Sequence, residues 1–275
     1  MAKFNFNLLH DELSLPAWLA LGAVAQAGIS VAAPAQYALV PAVFVLTVLV
    51  ANFALQYLGL YRNYYLKNAR MGRITVLFPE KDGSRPEDMG DKPVTMFLLG
   101  LRSNTPLGRL SPAYQKLNNY LDEMYQDCDE NRATNGYLGR TPDLIAKEFT
   151  QNNSLYSISY WKSLEDLEAW ARRPVHLRGL RFLDFEVNKS GKPFDLGVVH
   201  EVIVSPAGHW EGIYSNMNPW GISGTKFPLP GGKGLRDPYI ESNPKLINGM
   251  WGRMGNRIKS AEHEKKTIEL LQALD

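Results

Sequence analysis

Five histidines, at positions 10, 176, 200, 209 and 263, are the groups of this 275-residue chain best suited to move a proton near neutral pH. None forms an HxH, HxxxH or HxxE grouping with a nearby carboxylate, so zinc and non-haem iron are disfavoured and no metal is expected. His200 interrupts the apolar set Val198, Val202 and Val204, where it is either a general base or a hydrogen-bonded core histidine. His176, in Pro174-Val175-His176, either reaches a pocket or caps a helical corner. Glu211 is a candidate acid/base partner, against the alternative of a solvated strand edge. Arg102, Ser103 and Asn104 follow an apolar run, where they either donate hydrogen bonds to an oxygen gaining negative charge or cap the next turn. The one cysteine, Cys128, lies among Asp127, Asp129 and Glu130, which oppose thiolate formation.

The elements that must hold these residues are readable from hydrophobic periodicity. Val94, Met96, Phe97, Leu98, Leu99 and Leu101 spell a buried strand. Ser111-Pro112 then starts a helix carrying Tyr114, Leu117, Leu121, Met124 and Tyr125, which Asn135-Gly136 stops. Residues 137–140 form a short strand and 155–161 a longer one. Ser163 and Asp166 open a second helical stretch, broken at Pro174 and continuing over 176–187. Residues 198–204 and 210–216 read as a hairpin across Ser205-Pro206-Ala207-Gly208. One register of that hairpin puts His200, Trp210 and Tyr214 on one face; a slip of one residue puts His200 on a face with Glu211 instead. The order β-α-β-β-α-β is that of an α+β, ferredoxin-like domain, helices on one sheet face, and a dimeric α/β barrel is expected. Gly231-Gly232-Lys233-Gly234 follows no strand and reads as a turn; a helix is expected over 261–274.

Charge is spread unevenly. The net charge is only +2, which points to no nucleic acid partner, yet residues 15–60 contain no Asp, Glu, Lys or Arg at all. Two apolar runs, 17–33 and 37–60, flank Pro34; the second is apolar on every face and long enough for a bilayer core. Arg62, Lys67, Arg70 and Arg73 follow at once, the placement of a cytoplasmic flank, with Trp18, Tyr57, Tyr61, Tyr64 and Tyr65 as interfacial residues. One or two transmembrane helices, or a buried apolar helical hairpin, precede the domain. The divisions expected are 1–14, the apolar region 15–61, a juxtamembrane connector 62–92, the α/β domain 93–218, and a Gly/Pro-rich tail with a C-terminal helix 219–275.

Several blocks, in order, resemble a known family: Phe97-Leu98-Leu99-Gly100-Leu101-Arg102-Ser103-Asn104, Pro106-Leu107-Gly108, Tyr137-Leu138-Gly139, Pro174-Val175-His176-Leu177-Arg178-Gly179, His200-Glu201-Val202 and Trp210-Glu211-Gly212-Ile213-Tyr214-Ser215-Asn216. Together they resemble the domain-of-unknown-function 4188 family, within the dimeric α/β-barrel superfamily, whose fungal members are often labelled monooxygenase-like and sit in natural-product pathways. The resemblance spans residues 37–218. It implies a homodimer and an apolar pocket between sheet and helices, of the kind used by cofactor-free monooxygenases, cyclases, isomerases and haem-dependent dehydratases.

On these grounds the expected function is a membrane-associated enzyme of secondary metabolism. It would act on a hydrophobic oxygenated small molecule, with its domain on the cytosolic face of a membrane such as the endoplasmic reticulum. Cofactor-independent oxygenation leads; cyclisation or isomerisation, a haem-dependent dehydration on the same fold, or a non-catalytic ligand-binding scaffold are the alternatives. His200, His176 and Glu211 would carry proton transfer, and Arg102, Asn104, Trp210, Tyr214 and Asn216 would bind substrate. No cofactor is required, although haem needs one axial histidine and spacing does not exclude it.

Overall fold

The computed structural model describes residues 12–80, 82–84, 91–146, 154–187, 189, 195–229 and 234–241. The chain divides into two compact units, 1–69 and 70–275.

The first unit holds two helices, α1 (Leu15–Ala32) and α2 (Val40–Tyr57), with a single helical turn at Ala35–Tyr37 between them. Each begins as its sequence dictates, with proline in the first turn, where its missing N–H costs nothing. Ser14 caps α1 by accepting from the Ala17 amide at 3.4 Å. Neither helix buries a residue. Leu15–Ala32 and Ala35–Tyr57 are both long and apolar enough to cross a membrane, with mean hydropathies of 1.5 and 2.4, and both lie near the N-terminus, where a signal sequence has the same character. Gln26, a polar exception, donates to the Ala38 carbonyl at 2.6 Å.

The second unit is α+β. Its main sheet has the order β3-β5-β2-β6, from β2 (Val94–Ser103), β3 (Tyr137–Arg140), β5 (Ser154–Trp161) and β6 (Leu196–Ser205), with the short β4 (Leu144–Ala146) on β5. Every pairing is antiparallel. Between β2 and β3 runs α3 (Pro112–Glu130), whose N-cap Ser111 accepts from Tyr114; between β5 and β6 run α4 (Leu164–Ala171) and α5 (Pro174–Arg181), the latter continuing as a wider turn to Val187. This is the split β-α-β arrangement anticipated from the element order. The odd-numbered side chains of β2 face the helices: Leu101 packs with Leu117 and Phe182, and Phe97 packs against Met124, Trp161 and Trp170. On the other sheet face, Val94, Met96, Ile158 and Tyr160 pack with Val76, Phe78 and Trp210.

Two expectations are corrected. The supposed connector 62–92 contains a core strand, β1 (Arg70–Val76), whose Ile74 and Val76 are 1% and 0% exposed and which runs into the equally buried Phe78. The anticipated hairpin of 198–204 with 210–216 does not form. β6 spends its backbone hydrogen bonds on β2, while β7 (Ile213–Met217) pairs with β1 in a second, three-stranded sheet completed by β10 (Tyr239–Glu241). Trp210 separates the two strands: it is buried beside Phe78, ring centroids 4.9 Å apart, and its Nε1 donates to the Lys92 carbonyl at 2.6 Å. β8 (Phe227–Pro228) and β9 (Leu235–Arg236) make a separate ribbon. The helix expected over 261–274 and most of the turn at 231–234 lie outside the described residues.

Candidate active site

Between the helices and the sheet of the second unit lies an apolar cleft whose empty volume, out to its open mouth, is ≈ 660 Å³. Its floor is the helix-facing row of the two adjacent strands: Phe97, Leu99 and Leu101 from β2, Val198 and His200 from β6. α3 supplies Leu117, Leu121, Met124 and Tyr125; α4 and α5 supply Trp170, His176, Gly179 and Leu180. Ser159 and Trp161 line it as well, their side chains joined by a 3.0 Å hydrogen bond from the indole Nε1.

His200 is reached through the register of β6. It stands opposite Leu99, which in turn faces Ser157 on β5, so the three form one row across the sheet. An edge position leaves His200 exposed, with its ring 5.7 Å from that of Phe97. His176 comes from above, at the third position of α5, and is half-buried. Its ring lies 5.1 Å from Trp170, and its Nδ1 is buried and makes no hydrogen bond of ordinary geometry. Burial holds the His176 pKa below the usual 6.5; the Ala171 backbone opposes that shift, and the nearby His200 adds to it. Both imidazoles line the cleft. Trp170 is held in turn by Asp127, which accepts from its Nε1 at 3.2 Å and from Arg173 at 2.7 Å, so α3 orients the aromatic wall against which His176 rests.

The structure therefore brings His176 and His200 to one cleft. It places the other six candidates elsewhere. Arg102 shares the alternate face of β2 with Leu98 and Gly100, and Asn104 is exposed beyond that strand. Trp210 and Tyr214 belong to the core on the far side of the sheet, where the Tyr214 hydroxyl accepts from the Ser223 amide at 3.4 Å. Glu211 sits in the link between Trp210 and β7. Asn216 has a positive φ of 50° and accepts from the Gly72 amide at 2.8 Å, a bond at the irregularity in the β1–β7 pairing.

Tyr125, by contrast, has the spacing of one more residue in the apolar stripe of α3. Its hydroxyl is 2.6 Å from the Ser157 hydroxyl, and its ring lies under the Arg140 guanidinium at 4.2 Å. Among the described residues no group of three or more His, Cys, Asp or Glu side chains converges as a metal site. Cys128 is buried, and its thiol pKa is pushed up first by desolvation and then by Asp127 and Asp129. It is no nucleophile.

Residues 94–222 match the family described as Monooxygenase af470-like. That segment is monooxygenase-like in sequence. The chain is 26% identical over 211 residues to Monooxygenase af470 of Aspergillus fumigatus, covering 77% of this chain and 74% of that protein. Among solved structures, SnoaB, a cofactor-independent oxygenase from Streptomyces nogalater, is similar over 41% of this chain and 92% of its own, at 12% identity and a TM-score of 0.26. An aldoxime dehydratase, OxdRE, is similar over 68% of this chain and 43% of its own, at 17% identity and a TM-score of 0.40. At those TM-scores the likenesses say nothing of the reaction.

Proposed function

We propose that the α+β unit is a cofactor-independent monooxygenase of secondary metabolism that acts on a hydrophobic oxygenated small molecule. In this reading the unit works as a homodimer, held by the N-terminal helices at the cytosolic face of a membrane. The observation that carries the reading is the pair His176 and His200 at one apolar cleft, with His176 kept neutral at physiological pH by its burial. The similarity to a curated monooxygenase supports it. The exposed valines of β6, Val198, Val199, Val202 and Val204, support a second copy on that edge.

A neutral imidazole can take a proton from an acidic C–H or O–H of the substrate, leaving an enolate or phenolate. The anion passes one electron to dioxygen. The resulting radical pair joins to a peroxide, which picks up a proton and expels water as a carbonyl forms. A CH2 group and O2 thus become C=O and H2O, the substrate supplying every electron. The protein's work is to hold the substrate, accept the proton and keep bulk water away, for which an apolar cleft with two bases suffices.

The test is oxygen consumption by the detergent-purified full chain with a panel of enolisable polycyclic ketones. His200→Ala and His176→Ala should each lower kcat/KM by about 10²–10⁴ while circular dichroism stays unchanged. Full turnover in both variants sinks the assignment; product without oxygen uptake points to isomerisation by the same base. A Soret band in the absorption spectrum removes the cofactor-free reading.

A further inference from the structure

The cleft has a polar end. Beside its α3 wall lies a shallow polar depression that shares Leu99, Leu101, Leu121 and Tyr125 with the cleft and adds Ser157, Arg140, Asp143 and Asp122. Tyr125 stands at the boundary. We propose that Tyr125 is the oxyanion donor of the site, its hydroxyl, aligned by Ser157, donating to the substrate oxygen on which negative charge collects once a histidine has taken the proton. The inference rests on the monooxygenase reading above for its reaction, and on geometry alone for its donor.

Three observations carry it. The first is position. His200, Leu99 and Ser157 form one row on adjacent strands, so the histidine and the serine stand roughly 10 Å apart at the usual strand spacing, with the cleft floor between them. A molecule lying over Leu99 meets His200 at the mouth and Tyr125 at the inner wall. The second is the hydrogen bond. At 2.6 Å the Tyr125 and Ser157 hydroxyls share one proton contact, and when Ser157 donates, the phenolic hydrogen is free to point into the cleft. The third is charge. Burial raises the phenol's pKa, while Ser157 and the Arg140 guanidinium over the ring pull it back. The group is thus a donor at neutral pH, and a stronger one for the cation beside it. Arg140 is itself fixed by Asp143 at 2.5 Å, an ion pair that leaves the ring contact in place. Tyr125 would touch substrate; Ser157 and Arg140 are positioning residues.

A preorganised donor in a site of low polarity stabilises a developing oxyanion more than the neutral ground state. The proton moves from substrate to histidine, and Tyr125 keeps its own throughout. The consequence is a preference for anions that can be read without turnover. The probe is 4-nitrophenol, whose neutral and ionised forms have separate absorption bands, titrated with the full-length protein on either side of the probe's own ionisation. Wild type should bind the phenolate more tightly than the phenol. Tyr125→Phe, which keeps the ring, should weaken phenolate binding about tenfold or more and leave phenol binding within about twofold. Ser157→Ala should shift the same ratio in the same direction by less.

With the ketone panel, Tyr125→Phe should lower kcat with KM little changed, the pattern of a contact made late in the reaction. An unchanged phenolate-to-phenol ratio in Tyr125→Phe overturns the inference, as does a wild-type protein that prefers the phenol. Loss of the anion preference in Tyr125→Phe, with no oxygen uptake by any variant or by wild type, would keep the donor and refute the monooxygenase reading instead.

Discussion

His176 is the residue whose environment makes the sharpest claim. Its folded-state pKa is depressed, so the fold favours the neutral imidazole. The unfolded chain takes up the proton first as pH falls. The stabilising effect is therefore complete above about 6.5 and is lost between there and the lower folded-state pKa. Catalysis has the same sign. If His176 is the base, the acid limb of kcat/KM against pH should fall with an apparent pKa below 6.5, and His176→Gln should abolish that limb rather than move it upward. Tyr125 shows why a donor can hide in a sequence. In the stripe Tyr114, Leu117, Leu121, Met124, Tyr125 it has the spacing of a packing residue, and only its meeting with Ser157, 32 positions away, gives its hydroxyl a role.

Among the elements, β1 matters most for any dissection of the chain. Val76 and Phe78 form part of the same core as Val94, Leu138, Tyr160 and Trp210, and Ile74 is buried as well. A fragment starting at residue 93 should consequently expose that sheet face and fail to fold, whereas one starting at residue 66 should give a cooperative thermal transition. Circular dichroism melts of the two fragments decide the matter. The strand was hard to read because Arg70, Gly72 and Arg73 share it with Ile74 and Val76, and because those arginines continue the basic run after α2, which matches a membrane flank equally well. The β6–β7 hairpin misled for a related reason. Pro206 and Gly208 have the chemistry of a tight turn, but pairing is decided by partners distant in sequence, here β2 and β1. By contrast, β2, α3, β5 and the corner at Pro174 were legible, since caps, prolines and strong periodicity act locally.

For the whole molecule, the decisive contrast is between a unit with no buried residue in either of its helices and a unit with three packed core clusters. If α1 and α2 insert in lipid, the full chain should sediment with membranes, resist washing with high salt or alkaline carbonate, and be released by detergent. A protein recovered in the salt wash would remove the anchor from the proposal. The apolar character of residues 15–60 was plain in the sequence, but the exposure of their large side chains came only with the structure.

One packing detail of the cleft also makes it visible to light. Trp161, Trp170 and His176 form a chain of ring contacts at 5.4 and 5.1 Å. An imidazolium quenches a neighbouring indole more strongly than a neutral imidazole does, so Trp170 emission should dim as His176 gains its proton. Trp170→Phe would silence that component. The ionisation of His176 can then be followed as a fluorescence titration before any substrate is known.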